Sequence, residues 1–149
     1  MAARSKARKR AVDVLYAADL RGTDRLEMLA QEQATGQIPV HEYTVALVEG
    51  VAGHAAEIDR LIGEFATGWS LERLPDVDRA ILRMAVFELL WADDVPDAVV
   101  IDEAVTLAKT LSTDDSPAFV NGVLGAIADA ATSSSSRTTP RPGAVPDGT

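Results

Sequence analysis

From Ala11 to Ile127 the apolar residues recur at intervals of three and four, and no alternation of period two persists anywhere along the chain. That is the repeat of a helix face and not of a pleated strand, so the chain is predicted to be all-α. Helix breakers and capping residues divide it. A first helix is expected over about 3–20, with Ala11, Val14, Leu15 and Ala18 on one face and Gly22 as its stop. A second begins near Asp24, an acid suited to the helix N-terminus, and ends near Gly36, with Pro39 beyond. Between His41 and Phe65 the spacing of Tyr43, Leu47, Val51, Ile58, Leu61, Ile62 and Phe65 fits one long helix, or two jointed near Gly50 and Gly53.

Ser70 is placed to cap a short helical piece that must yield at Pro75, after which Asp76 starts a new helix. From Val77 to Trp91 apolar residues surround most of the cylinder, which predicts a central core helix. Asp94, Val95 and Pro96 make a turn, and Val100, Ile101, Ala104, Val105, Ala108 and Leu111 mark an amphipathic helix with Asp97, Asp102 and Glu103 toward its N-terminal end. For the last helix Ser116 is expected as N-cap and Pro117 as first helical residue, with Phe119, Val120, Val123, Leu124 and Ile127 packing inward. Gly122 and Gly125, three apart, are expected to permit close helix packing. From Thr132 the sequence turns to serine, threonine, proline and glycine, too poor in apolar surface to offset the cost of ordering. The expected organisation is one helical domain over 1–131, with a basic arm at 1–10, and a disordered tail at 132–149.

With 149 residues, 47% of them hydrophobic, the chain is long enough for a single core. No run approaches the roughly 20 apolar residues that span a bilayer, and the start MAARSKARKR lacks the apolar segment of a secretory signal, so a cytoplasmic protein without membrane contact is expected. The absence of cysteine excludes disulfides, thiolate metal sites and cysteine nucleophiles. His41 and His54 stand 13 positions apart, without the spacing that puts two imidazoles on one helix face, and read as surface or capping residues. No glycine pattern fits a phosphate loop, and Thr113, Asp114 and Asp115 precede a helix start, where acids serve backbone donors better than catalysis. Neither an active site nor a cofactor is expected.

What remains is recognition. The net charge is −9, yet Arg4, Lys6, Arg8, Lys9 and Arg10 place five cations and no acid among the first ten residues. A basic arm on an acidic body favours a local RNA footprint, since phosphate is repelled elsewhere, although the same pattern also describes a solvated basic tail. Arg4 and Arg8, four apart, share a helix face and can address neighbouring phosphates, with Lys6 beside them. Tyr16, a little over two turns past Arg8, can stack on a base or equally well sit as a half-buried core aromatic.

Three blocks, ARKRAVDVLYAADL, LPDVDRAILRMAVFELL and DVPDAVVIDEAVTLAKTLSTDDSPAFVNGVLGAIA, in that order over about residues 4–131, resemble the NusB family of bacterial transcription antitermination factors. The resemblance implies about seven helices in two bundles. It implies binding of boxA-type RNA in nascent ribosomal RNA transcripts together with the ribosomal protein NusE, in a complex that helps RNA polymerase read through terminators. By motif position it implies RNA contacts at Arg4, Lys6, Arg8, Tyr16, Asp115, Ser116 and Phe119, and a NusE contact at Asp78. Some relatives carry three consecutive arginines in the arm, where this chain has Arg4, Ser5 and Lys6, so fewer phosphate contacts are expected. Asp115 repels phosphate, but as an acceptor it can take a base amino group or a ribose hydroxyl.

Two rival readings follow. The N-terminal domains of certain ribosomal RNA cytosine methyltransferases resemble the same family, but such enzymes continue into a catalytic domain with a cysteine nucleophile. This chain has no cysteine and stops soon after its last helix, so an enzyme is not expected. The second rival is a protein-only interaction module, including a homodimer that covers the arm, motivated by the apolar surplus between Val77 and Leu111.

Overall fold

A computed structural model describes residues 2–137. Among them the helices are α1 (Ala3–Arg21), α2 (Arg25–Thr35), α3 (Glu42–Gly53), α4 (Ala55–Phe65), α5 (Asp76–Trp91), α6 (Asp97–Leu111) and α7 (Ser116–Arg137), with a 3-10 turn, Leu71–Arg73, ahead of α5. The all-helical expectation holds, and most boundaries sit where the local chemistry puts them. Gly22 ends α1 in the left-handed region at φ 64°, its N–H donating to the carbonyls of Ala18 and Asp19. The Asp24 carboxylate caps α2 by accepting from the amides of Leu26 and Glu27. His41 caps α3, its Nδ1 accepting from the Tyr43 amide at 2.9 Å.

The core helix is α5, which packs on α1, α3, α4, α6 and α7. On one side α1, α2 and α3 pack on one another, and on the other α4, α6 and α7 gather around α5, giving two bundles that share one helix. Ile81, Leu82, Met84, Ala85 and Val86 of α5 are buried together with Leu15, Leu47, Ile58, Ile62, Leu124 and Ile127. The same helix also carries Asp78, Arg83 and Glu88 inward. Arg83 donates to Asp59 and Asp19, and Arg79 to Asp19 and to the carbonyls of Leu71 and Leu74, tying the N-terminal half of α5 to the C-terminal end of α1. At the far end Arg8 of α1 pairs with Glu88, so the two helices run antiparallel.

Several expectations are corrected. The segment 41–65 is two helices, with the break at His54, beside Gly53 as one of the two readings had it, but Gly50 is not part of the joint. A Cβ at Gly50 would lie 2.3 Å from the Phe87 ring, so that glycine is where α5 closes on α3. At Gly122 and Gly125, by contrast, nothing among the described residues lies within 4 Å of where a Cβ would stand, so none of the described helices packs closely on those two positions. Ser70 makes no side-chain cap bond. Ser116 is the first residue of α7 and not its N-cap, because its hydroxyl turns to a buried carboxylate. Finally, α7 runs on to Arg137, past Thr132 where order was expected to end, while 138–149 lie outside the described residues.

Candidate nucleic-acid interface

The basic arm is the first two turns of α1, held there by its own polar groups. Thr44 of α3 donates to the Ala7 carbonyl at 2.8 Å, and Ser5 donates to Glu103 of α6 at 3.0 Å. Arg8 points inward, not toward phosphate. Its Nε and Nη2 donate to the two Glu88 oxygens at 2.8 and 2.9 Å, with side-chain exposures of 4% and 0%, and Glu103 lies 3.5 Å away. The Tyr43 hydroxyl donates to the same Glu88 carboxylate, and the guanidinium of Arg4 lies over the Tyr43 ring, 4.2 Å from its centre. Burial disfavours the Arg8 charge, but the hydrogen bonds and charge of Glu88 outweigh it and hold the pKa above its ordinary value. Burial, then the bond to Glu88 and its charge, push the Tyr43 phenol up to about 12.

The other arm cations are paired nearer the surface. Arg4 meets Asp94 at 3.1 Å, Lys9 meets Asp13 at 3.2 Å, and Arg10 meets Glu32 at 3.1 Å. Such exposed pairs are worth about 0–1 kcal/mol, so a phosphate can displace the carboxylate. Lys6 is exposed and has no ion pair among the described residues. The arm therefore offers Lys6 directly and Arg4, Lys9 and Arg10 by exchange, while Arg8 is committed to the interior.

A second group forms at the N-terminal end of α5. Asp78, 3% exposed, accepts from Ser112 at 2.6 Å and from Ser116 at 2.9 Å. Ser116 also lies 3.0 Å from the Ser112 hydroxyl and 2.9 Å from that of Thr113, so the turn into α7 is pinned to α5. Asp115, Ser116, Phe119 and Asp78 share one cleft of about 310 Å³, completed by Trp69 and Leu74. Asp115 is exposed and Phe119 half-buried, whereas Asp78 and Ser116 are buried and satisfied by each other. Those last two hold the turn in place.

Ten residues separate Asp78 from Glu88, so the arm and the cleft lie about 15 Å apart along α5. Because α1 runs antiparallel, Tyr16, about 12 Å along α1 from Arg8, stands at an intermediate level. It is half-buried against the core, on the helix face of Lys9 and Asp13 by spacing and not on that of Arg8. Sequence reasoning missed Trp69, Tyr43, Glu88 and Asp94. Glu88 had a signal, an acid inside the apolar run FELLW, and Trp69 had a weaker one, a large aromatic after Gly68. The partner of Arg4 had none. Among the described residues no group of three or more His, Asp or Glu side chains can hold a metal ion, and no helix is long and apolar enough to cross a membrane.

Residues 5–129 match the NusB family. The transcription antitermination protein NusB of Acidothermus cellulolyticus is 60% identical over 148 residues, covering 99% of this chain and all of that protein. Among solved structures, NusB of T. maritima superposes with a TM-score of 0.77 at 35% identity, covering 86% of this chain and 92% of that one. A chain from a structure of antitermination factors NusB and NusE in complex with dsRNA superposes with a TM-score of 0.76 at 35% identity, covering 85% and 96%.

Proposed function

The chain belongs to the NusB family, and from that premise we propose that it is a transcription antitermination factor, not an enzyme, that binds RNA together with the ribosomal protein NusE. Its RNA is boxA-type sequence in nascent ribosomal RNA transcripts, and it acts in the cytoplasm, within the complex that lets RNA polymerase pass terminators. Lys6 and Arg4 hold phosphates, and Tyr16, Asp115 and Phe119 meet bases or ribose. Arg8 and Ser116 serve the footprint by holding the arm and the turn. The observation that carries this reading is the convergence of Asp115, Phe119 and Asp78 on one cleft, about 15 Å along α5 from an arm with an open lysine. Asp78, assigned a NusE contact by motif position, is buried and so acts on NusE indirectly, by holding the turn through its hydrogen bond to Ser116.

A second reading, a protein-only module or homodimer, is favoured by one observation: four of the five arm cations already have carboxylate partners. The deciding measurement is affinity for a boxA-type RNA and a scrambled control at several salt concentrations, with and without NusE. Preference for boxA that tightens with NusE is the expected result. Absent binding to both RNAs would favour the protein-only module, and equal binding to both would overturn the boxA preference.

A further inference from the structure

Trp69 is 48% exposed, and the backbone sets it where it stands. Gly68, at φ 85°, closes a turn in which the Trp69 amide donates to the Ala66 carbonyl at 3.0 Å. The indole then meets the Phe119 ring edge to face, with centroids 6.4 Å apart and planes at 64°. Two aromatic surfaces from elements 50 residues apart thus form a corner in the 310 Å³ cleft. At its foot the hydroxyl hydrogens are spent, since Ser112 and Ser116 donate to Asp78 and Thr113 bonds Ser116. The group left over is the Asp115 carboxylate, exposed and without a hydrogen bond or ion pair among the described residues.

A corner with flat apolar walls and an unpaired carboxylate acceptor at its rim fits a planar ring with an amino edge. We infer that it receives one unstacked nucleobase bearing an exocyclic amino group, with Trp69 as a stacking wall and Asp115 as the acceptor that selects against uracil. Cytosine, adenine and guanine each offer amino hydrogens to a carboxylate, whereas uracil offers only its N3–H, flanked by two carbonyl oxygens that the carboxylate repels. The carboxylates repel phosphate, so the base enters and its backbone stays outside. An ammonium side chain from a protein fits less well. The floor carboxylate, Asp78, is buried and holds two hydroxyl donors, so Asp115 alone faces the opening, and a single ion pair would leave the two aromatic walls without a flat partner. This inference rests on the RNA-binding reading above and adds to it a residue, Trp69, and a base class.

The test uses the full chain, a boxA-type RNA, and a set in which each amino-bearing nucleotide is replaced singly by uridine. In the unaltered protein one replacement is expected to weaken binding about tenfold, and in Asp115→Asn the same replacement should cost less than about threefold. Trp69→Ala should weaken the parent RNA by about fivefold or more, while Trp69→Phe keeps most of the affinity, because stacking needs a ring and not an indole. Trp69 is a surface residue, and an unchanged helical circular-dichroism melt separates loss of stacking from loss of fold. If Trp69→Ala binds every RNA as the parent does, or weakens NusE binding alone, the corner is not a base site although RNA binding stands. If the unaltered protein binds none of the RNAs, both readings fall.

Discussion

Arg8→Ala should be among the most damaging single changes in α1, for a reason that has nothing to do with RNA. It leaves Glu88, with 0% side-chain exposure, a buried carboxylate whose remaining donor is the Tyr43 hydroxyl. Removing one member of a buried ion pair costs about 3–5 kcal/mol, against a total of roughly 5–15 kcal/mol for a domain. At about 3–4 °C per kcal/mol for a chain of this size, the melting temperature should fall by roughly 10–20 °C. Replacing all three partners with apolar residues, Arg8→Met/Glu88→Leu/Tyr43→Phe, removes the stranded charge and should return stability to within about 2 kcal/mol of the parent. Urea unfolding followed by circular dichroism measures both variants. A triple variant as unstable as Arg8→Ala would refute the buried-charge argument and assign the loss to packing. The triple variant also isolates the arm's role in binding. Its dependence of affinity on salt should match the parent, whereas Lys6→Ala should flatten the slope by about 0.7 for one single-strand phosphate contact. A comparable flattening in the triple variant would mean that Arg8 leaves the interior to reach phosphate.

The Tyr43 phenol, raised to about 12 from an ordinary 10, binds its proton more tightly in the folded chain. Its stabilising contribution is therefore complete below about pH 10 and lost as pH climbs to about 12; a Tyr43→Phe variant should lack that phase in ultraviolet titration and in stability against pH. Gly50→Ala drives a methyl group into the Phe87 ring and should cost about 1–3 kcal/mol, whereas Gly122→Ala, in a helix with open space around it, should stabilise by about 0.5–1 kcal/mol; thermal melts of the two should move in opposite directions. Asp94→Asn frees Arg4 from its surface pair and should tighten RNA binding about two- to fivefold at low salt, with the gain fading at high salt; unchanged affinity would mean that Arg4 does not touch RNA.

The helices were readable because their signals are local. Gly22, Asp24, His41 and Pro75 act on backbone groups within a few residues of themselves, and the apolar period needs only neighbouring turns. The break at His54 was harder to place, since two glycines advertised it and one of them, Gly50, answers instead to a ring 37 positions away. Gly122 and Gly125 misled in the opposite sense: a pattern that permits close packing does not supply a neighbour.

The site divided along the same line. That this chain has a basic arm, an acidic turn before its last helix and no cysteine follows from residue types and their order alone, because charge and functional groups belong to the side chains themselves. Which of those groups can meet a ligand was decided only by the packing. Arg4 and Arg8 are equivalent by sequence, yet Arg8 is taken by Glu88, 80 positions on, and Arg4 keeps an exposed and exchangeable partner in Asp94. Asp78 and Asp115 are both acids beside a helix start, yet two serine hydroxyls claim the first and leave the second open. Whether a charge is free depends on the fields and donors of every helix packed against it, and those come from parts of the chain too distant for any local pattern to record.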